Sequence, residues 1–178
     1  MRLPLARRRL VSSATLAALA GGAALLAACS SDDDTTTPPA PPTTFTATLS
    51  AAAERPNPVN VPAATGTATV TFTSATSGGP ATGGTYTVTV SGLTGNPRLS
   101  HIHAPADANT AAGVIINFDP SSVTTNAGTF SGTFTSTTQP AVSVDSVLKL
   151  ARAGLAYVNV HTAANGSGEI RGQLVPKQ

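Results

Sequence analysis

From residue 65 to residue 135 this chain repeats one pattern, an apolar side chain followed by a threonine or serine. Ala68, Val70 and Phe72 alternate with Thr67, Thr69, Thr71 and Thr73. Tyr86, Val88 and Val90 alternate with Thr85, Thr87 and Thr89, and Phe130 and Phe134 with Thr129, Ser131, Thr133 and Thr135. A period of two puts alternate side chains on opposite faces of a strand, so each run offers one face to a core and one to water. Turn chemistry separates the runs at Ser77-Gly78-Gly79-Pro80, Gly83-Gly84, Gly95-Asn96-Pro97, Asn126-Ala127-Gly128 and Asn165-Gly166. Further strands read at Phe45–Ser50, Leu99–His103, Gly113–Phe118, Leu155–His161 and Glu169–Val175. About eight strands at this spacing predict an all-β domain, an antiparallel Greek-key β-sandwich. One segment breaks the period. In Ser143–Gly154, Val144, Val147, Leu148 and Ala151 recur at helical spacing before a glycine, which predicts one short helix.

This domain spans residues 45–178 and holds every Phe and Tyr of the chain. Residues 1–28 read as an address. Arg2, Arg7, Arg8 and Arg9 precede an apolar run, Leu16 to Ala28, that is too short to span a bilayer. Arg7-Arg8-Arg9-Leu10-Val11 fits a minimal twin-arginine pattern as well as an ordinary basic leader. The run ends Leu26-Ala27-Ala28-Cys29, which resembles the lipobox of bacterial lipoproteins. That resemblance implies a lipoprotein signal peptide removed before Cys29, and a Cys29 acylated to anchor the protein in a membrane without a transmembrane helix. Ser30 and Ser31 after the cysteine resemble the outer-membrane sorting pattern, with the domain facing the periplasm or the cell surface. Residues 29–44 then form a lipidated, acidic and proline-rich tether, on the order of 40 Å long if fully polyproline-like.

Removing the leader reverses the charge argument. Four of the ten Lys and Arg residues lie before Cys29, so a formal charge of +2 becomes −2. The basic balance belongs to the leader and gives no reason to expect nucleic acid. With the single cysteine lipidated, no disulfide is available and the domain stands on its core.

All three histidines fall in two strand-like segments, Leu99–His103 and Tyr157–His161. On a strand, His101 and His103 share a face, and Tyr157, Asn159 and His161 share another. If the two strands converge, three neutral imidazoles meet, a donor set suited to copper and, less well, to zinc. Asn159, Asp107 and Glu169 are candidates to hydrogen-bond and orient the imidazoles. The alternative is that the histidines cap their strands by hydrogen-bonding loop carbonyls. Arg171 reads either as an anion-facing residue or as the strand partner of Glu169.

Gly92-Leu93-Thr94 followed by Ser100-His101-Ile102-His103, Gly113-Val114-Ile115, Tyr157 to Thr162 (YVNVHT) and Gly168 to Leu174 (GEIRGQL) resembles the CHRD domain, named for chordin. The resemblance covers about Phe45 to Val175 and implies a β-sandwich in an extracellular or envelope setting. Locally the chain is also similar to copper–zinc superoxide dismutase. There a His-x-His strand and a later Val-His supply copper ligands, and an Arg guides the anion. That likeness implies copper ligation by His101, His103 and His161, and an anion-guiding Arg171. The chain lacks a fourth, zinc-bridging histidine, the zinc-site histidines and a disulfide.

No Gly-x-Ser-x-Gly elbow, phosphate-binding glycine loop or paired catalytic carboxylates are present. No catalytic residue is expected. Two functions remain: a non-enzymatic binding or structural module that meets an unknown envelope protein, or a periplasmic copper-binding protein with superoxide dismutase-like chemistry as its only enzymatic use.

Overall fold

A computed structural model describes residues 40–178; the leader, Cys29 and most of the tether lie outside them. The described chain is all-β with one helix. Nine strands follow in order: β1 Thr44–Ser50, β2 Thr65–Ser74, β3 Ala81–Ser91, β4 Leu99–His103, β5 Val114–Phe118, β6 Gly128–Phe134, β7 Tyr157–His161, β8 Ile170–Gln173 and β9 Val175–Pro176. Helix α1, Val144–Arg152, lies between β6 and β7. Among the described residues no helix is long and apolar enough to cross a membrane.

Every ladder is antiparallel, and the strands form one continuous sheet rather than two separate ones. The order is β5-β4-β7-β8-β1-β2-β3-β6, with β9 added beside β1. The sheet rolls until its two ends meet. Tyr86 of β3 stacks on Phe118 of β5 with centroids 3.9 Å apart, and Phe118 lies 6.3 Å from Phe134 of β6. Side chains of the inner face therefore close a single core, in which Phe45, Leu49, Val70, Val88, Phe130, Ile102, Val158, Val160 and Ile170 are all buried. Phe45, Phe72 and Phe134 pack edge to face along it. The threonines of β2 and β3 face outward, and some couple across strands, as Thr89 does with Thr129 at 2.8 Å.

The helix forms where its apolar spacing places it. The Ser143 hydroxyl accepts from Ser146 N–H as the N-cap, and Gly154 at φ +72° ends the segment. Val144, Val147, Leu148 and Ala151 turn into the core, and Asp145 accepts from Ala81 N–H to pin the helix to β3.

Two expectations need correction. Gly83-Gly84 is not a turn but lies inside β3, which starts at Ala81. A Cβ on Gly84 would sit 2.4 Å from the Phe134 ring, so the glycine makes room for an aromatic neighbour. The single strand expected over Glu169–Val175 divides at Leu174 into β8, which pairs with β7, and β9, which pairs with β1.

Candidate metal centre

Strands β4 and β7 pair in a register that sets Leu99 opposite His161, His101 opposite Asn159, and His103 opposite Tyr157. Partners across a ladder share a face, so all six project together, away from the side where Ile102, Val158 and Val160 enter the core. Strand β8 extends the same face, with Arg171 opposite Asn159 and Gln173 opposite Tyr157. A sheet's outer face is ordinarily wet. Here Tyr157, Asn159, His161 and Arg171 are buried, because loops fold back over them.

Several loops make that cover, and the face's own side chains hold them. Arg171 donates to the carbonyls of Asp107 (2.6 Å) and Thr110 (2.8 Å) in the β4–β5 loop. Gln173 donates to the carbonyls of Ala106 and Gly154. Asn159 donates to the buried carboxyl of Glu54, from the segment after β1, at 3.1 and 3.2 Å. The β7–β8 loop is tied by Glu169, whose carboxylate accepts from Thr94 N–H, the hydroxyls of Thr94 and Thr162, and the Asn165 amide.

Under this cover the three histidines converge. One ring nitrogen from each lies within 4.8 Å of the others. His103 Nδ1–H donates to the Ala112 carbonyl at 2.9 Å, and His161 Nδ1–H donates to the Gly166 carbonyl at 3.1 Å. Each bond fixes a tautomer and leaves the Nε2 lone pair directed inward. His103 Nε2 is buried and has no partner. With His161 Nδ1–H given to Gly166, its Nε2 accepts from His101 Nδ1–H at 3.1 Å, a spacing close to that of two nitrogens bound to one ion at about 2.0–2.1 Å. Their exposure is 8, 8 and 6 %, while Asn117, opposite His101 in β5, and Leu99, opposite His161, are both exposed.

The electrostatics keep the rings neutral. Burial, then the charges of His161 and His103, hold His101 down at about 4. Burial also lowers His103, with Arg171 adding to the effect, and lowers His161. Neutral imidazole is the ligand form, so protons offer little competition for these nitrogens near pH 7. Glu54 moves the other way: burial raises it to about 7 against the pull of Asn159 and Arg171.

The other expected residues lie nearby but do different work. No hydrogen bond joins Asn159, Asp107 or Glu169 to an imidazole; two backbone carbonyls orient the rings instead. The Asp107 carboxylate caps its own loop at Asn109 and Thr110. Arg171 and Glu169 are not partners. Glu169 is saturated by its loop donors, while Arg171 stacks 3.5 Å over the Tyr157 ring and spends its N–H groups on carbonyls. At 1 % exposure, Arg171 presents nothing to a passing anion. Sequence reasoning missed Glu54, Ala112 and Gly166. A lone loop carboxylate and two carbonyls carry no side-chain pattern to find them by.

No curated protein and no solved structure matches the chain. A family model does match. It is the CHRD domain, over residues 45–174, from β1 to just past β8, and the chain belongs to the CHRD domain family.

Proposed function

We propose that this CHRD domain is a non-enzymatic copper-binding module of the cell envelope, held at a membrane by lipid on Cys29. The observation that carries the reading is the convergence of His101, His103 and His161 as neutral rings. Two of them are locked by carbonyls in the Nδ1–H tautomer, which leaves each Nε2 with a lone pair, and His161 Nε2 faces His101. Capping alone would use one nitrogen per ring and leave the others to water. Here His103 Nε2 is kept dry and unpartnered, which costs stability unless an ion or a proton donor meets it. Three imidazoles favour copper over zinc by the ordinary order of divalent affinities. Binding without turnover fits the buried, engaged state of Arg171.

The test is a metal titration of the purified domain with elemental analysis. One equivalent of copper is expected, held more tightly than zinc. His101→Ala and His161→Ala should each weaken it by at least a hundredfold while the far-ultraviolet circular dichroism is unchanged. Absence of stoichiometric binding in the parent domain overturns the reading.

A further inference from the structure

We infer that the three-histidine centre selects monovalent copper, and that Arg171, acting through the Tyr157 ring, is the residue that sets this preference. The inference rests on the copper reading above and goes on to name the oxidation state.

The donor set is uncharged. Three imidazoles form the group, and among the described residues no carboxylate or thiolate joins them. The buried carboxyls beside this face are engaged elsewhere. Glu169 is occupied by Thr94, Thr162 and Asn165, and Glu54 faces the amide of Asn159. A cation entering this buried face keeps its whole charge. The cost of holding a charge away from water rises with the square of that charge, so a divalent ion suffers far more than a monovalent one.

A fixed positive charge stands behind the centre. Strand order β4-β7-β8 places His103 and Arg171 on opposite sides of Tyr157. The His103 and Tyr157 rings are parallel within 3° at 4.8 Å, and the guanidinium lies 3.5 Å over the same tyrosine. This column of imidazole, phenol and guanidinium is buried throughout. Arg171 donates to carbonyls and an amide oxygen, and no salt bridge of the described residues neutralises it. Its repulsion is twice as great for a divalent ion as for a monovalent one. Arg171 touches no metal ligand and is therefore a positioning and charge-setting residue. Its hold on Thr110 also steadies the loop whose Ala112 carbonyl orients His103.

The experiment measures Cu(I) affinity anaerobically by competition with a bicinchoninate chelator, Cu(II) affinity by competition with a Cu(II) chelator, and the couple by direct voltammetry. Wild-type protein is expected to hold Cu(I) at least tenfold more tightly than Cu(II). Arg171→Gln should lower that ratio about tenfold, equivalent to about 59 mV for a one-electron couple, and Arg171→Lys should keep it within about threefold. Tyr157→Phe, which retains the stack, should leave it near wild type. If wild-type protein binds Cu(II) as tightly as Cu(I), the monovalent preference is wrong while the copper reading stands. If Arg171→Gln weakens both ions equally, Arg171 has only a structural role. If neither ion binds, the copper reading fails as well. Should Arg171→Gln not fold, the wild-type ratio and Arg171→Lys still decide.

Discussion

Glu54 and His101 are held off their ordinary protonation in opposite directions, and the pH profile of the metal-free domain should show both. His101 falls to about 4, and His103 and His161 are also lowered, so below pH 6.5 the unfolded chain takes up protons that the folded one refuses. The histidines' contribution to stability is therefore present above 6.5 and lost as pH falls towards 4. Glu54 is raised to about 7, so the folded chain keeps a proton there that the unfolded chain gives up above 4.5. That contribution is complete below 4.5 and is lost as pH rises through 7. The two contributions oppose each other between about 4.5 and 7, and Glu54→Gln separates them. In urea unfolding at several pH values, that variant should gain on the parent as pH rises from about 5 to 8, by about 1–3 kcal/mol. A stability difference between the two that does not change with pH would sink the assignment to Glu54.

At the scale of elements, the joint between β1 and β8 sets how closely the histidine-bearing strands sit against the rest of the sheet. Gly172 meets β1 so tightly that a Cβ there would lie 2.2 Å from the Thr48 carbonyl oxygen and 2.8 Å from Leu49 Cδ2. Backbone cannot yield as a flexible side chain does, so Gly172→Ala should force the two strands apart and displace Arg171 with them. A loss of about 2–4 kcal/mol is expected in urea unfolding. Gly95→Ala, where nothing lies within 4 Å, should stay within about 0.5 kcal/mol. The strands themselves were legible, because Val70 and Phe72, or Val88 and Val90, repeat at the period a half-buried strand demands. So was the shared face of His101 and His103. Period fixes which way a side chain turns but not which strand lies beside it. The pairing of β4 with β7, which brings in His161, could only be posed as a condition. Arg171 and Glu169 show the same limit. Two residues apart, they could be read as a pair, or Arg171 as facing an anion, but loops from distant sequence supplied partners to each.

For the whole molecule, the core and ladders of the described residues are built from β1 onward, with Thr43 accepting from Phe72 N–H just before it. The last described tether residues lie against it, since Arg152 donates to the carbonyls of Pro42 and Pro41. On the lipoprotein reading, anchoring and folding are then separable. Mass spectrometry of the membrane fraction should find acyl chains on an N-terminal Cys29. Cys29→Ala should lose the lipid and leave the acylated membrane pool, while the domain retains its melting temperature and its copper. Recovery of unlipidated wild-type protein would end the lipoprotein reading.

The pairing of β4 with β7 also fixes an order of events. His101 and His161 stand 60 residues apart in the sequence, and only a non-local ladder brings their rings together. Such contacts form late, after the entropy of closing a long loop has been met. The His-x-His pair alone offers an ion two of the three nitrogens, and Ala112 and Gly166 orient their rings only once the loops have closed. In small metal-dependent domains the ion draws the chain into shape. On the copper reading proposed above, the sequence of events is reversed here: the sheet finishes first, and the ion is a passenger that boards a completed fold.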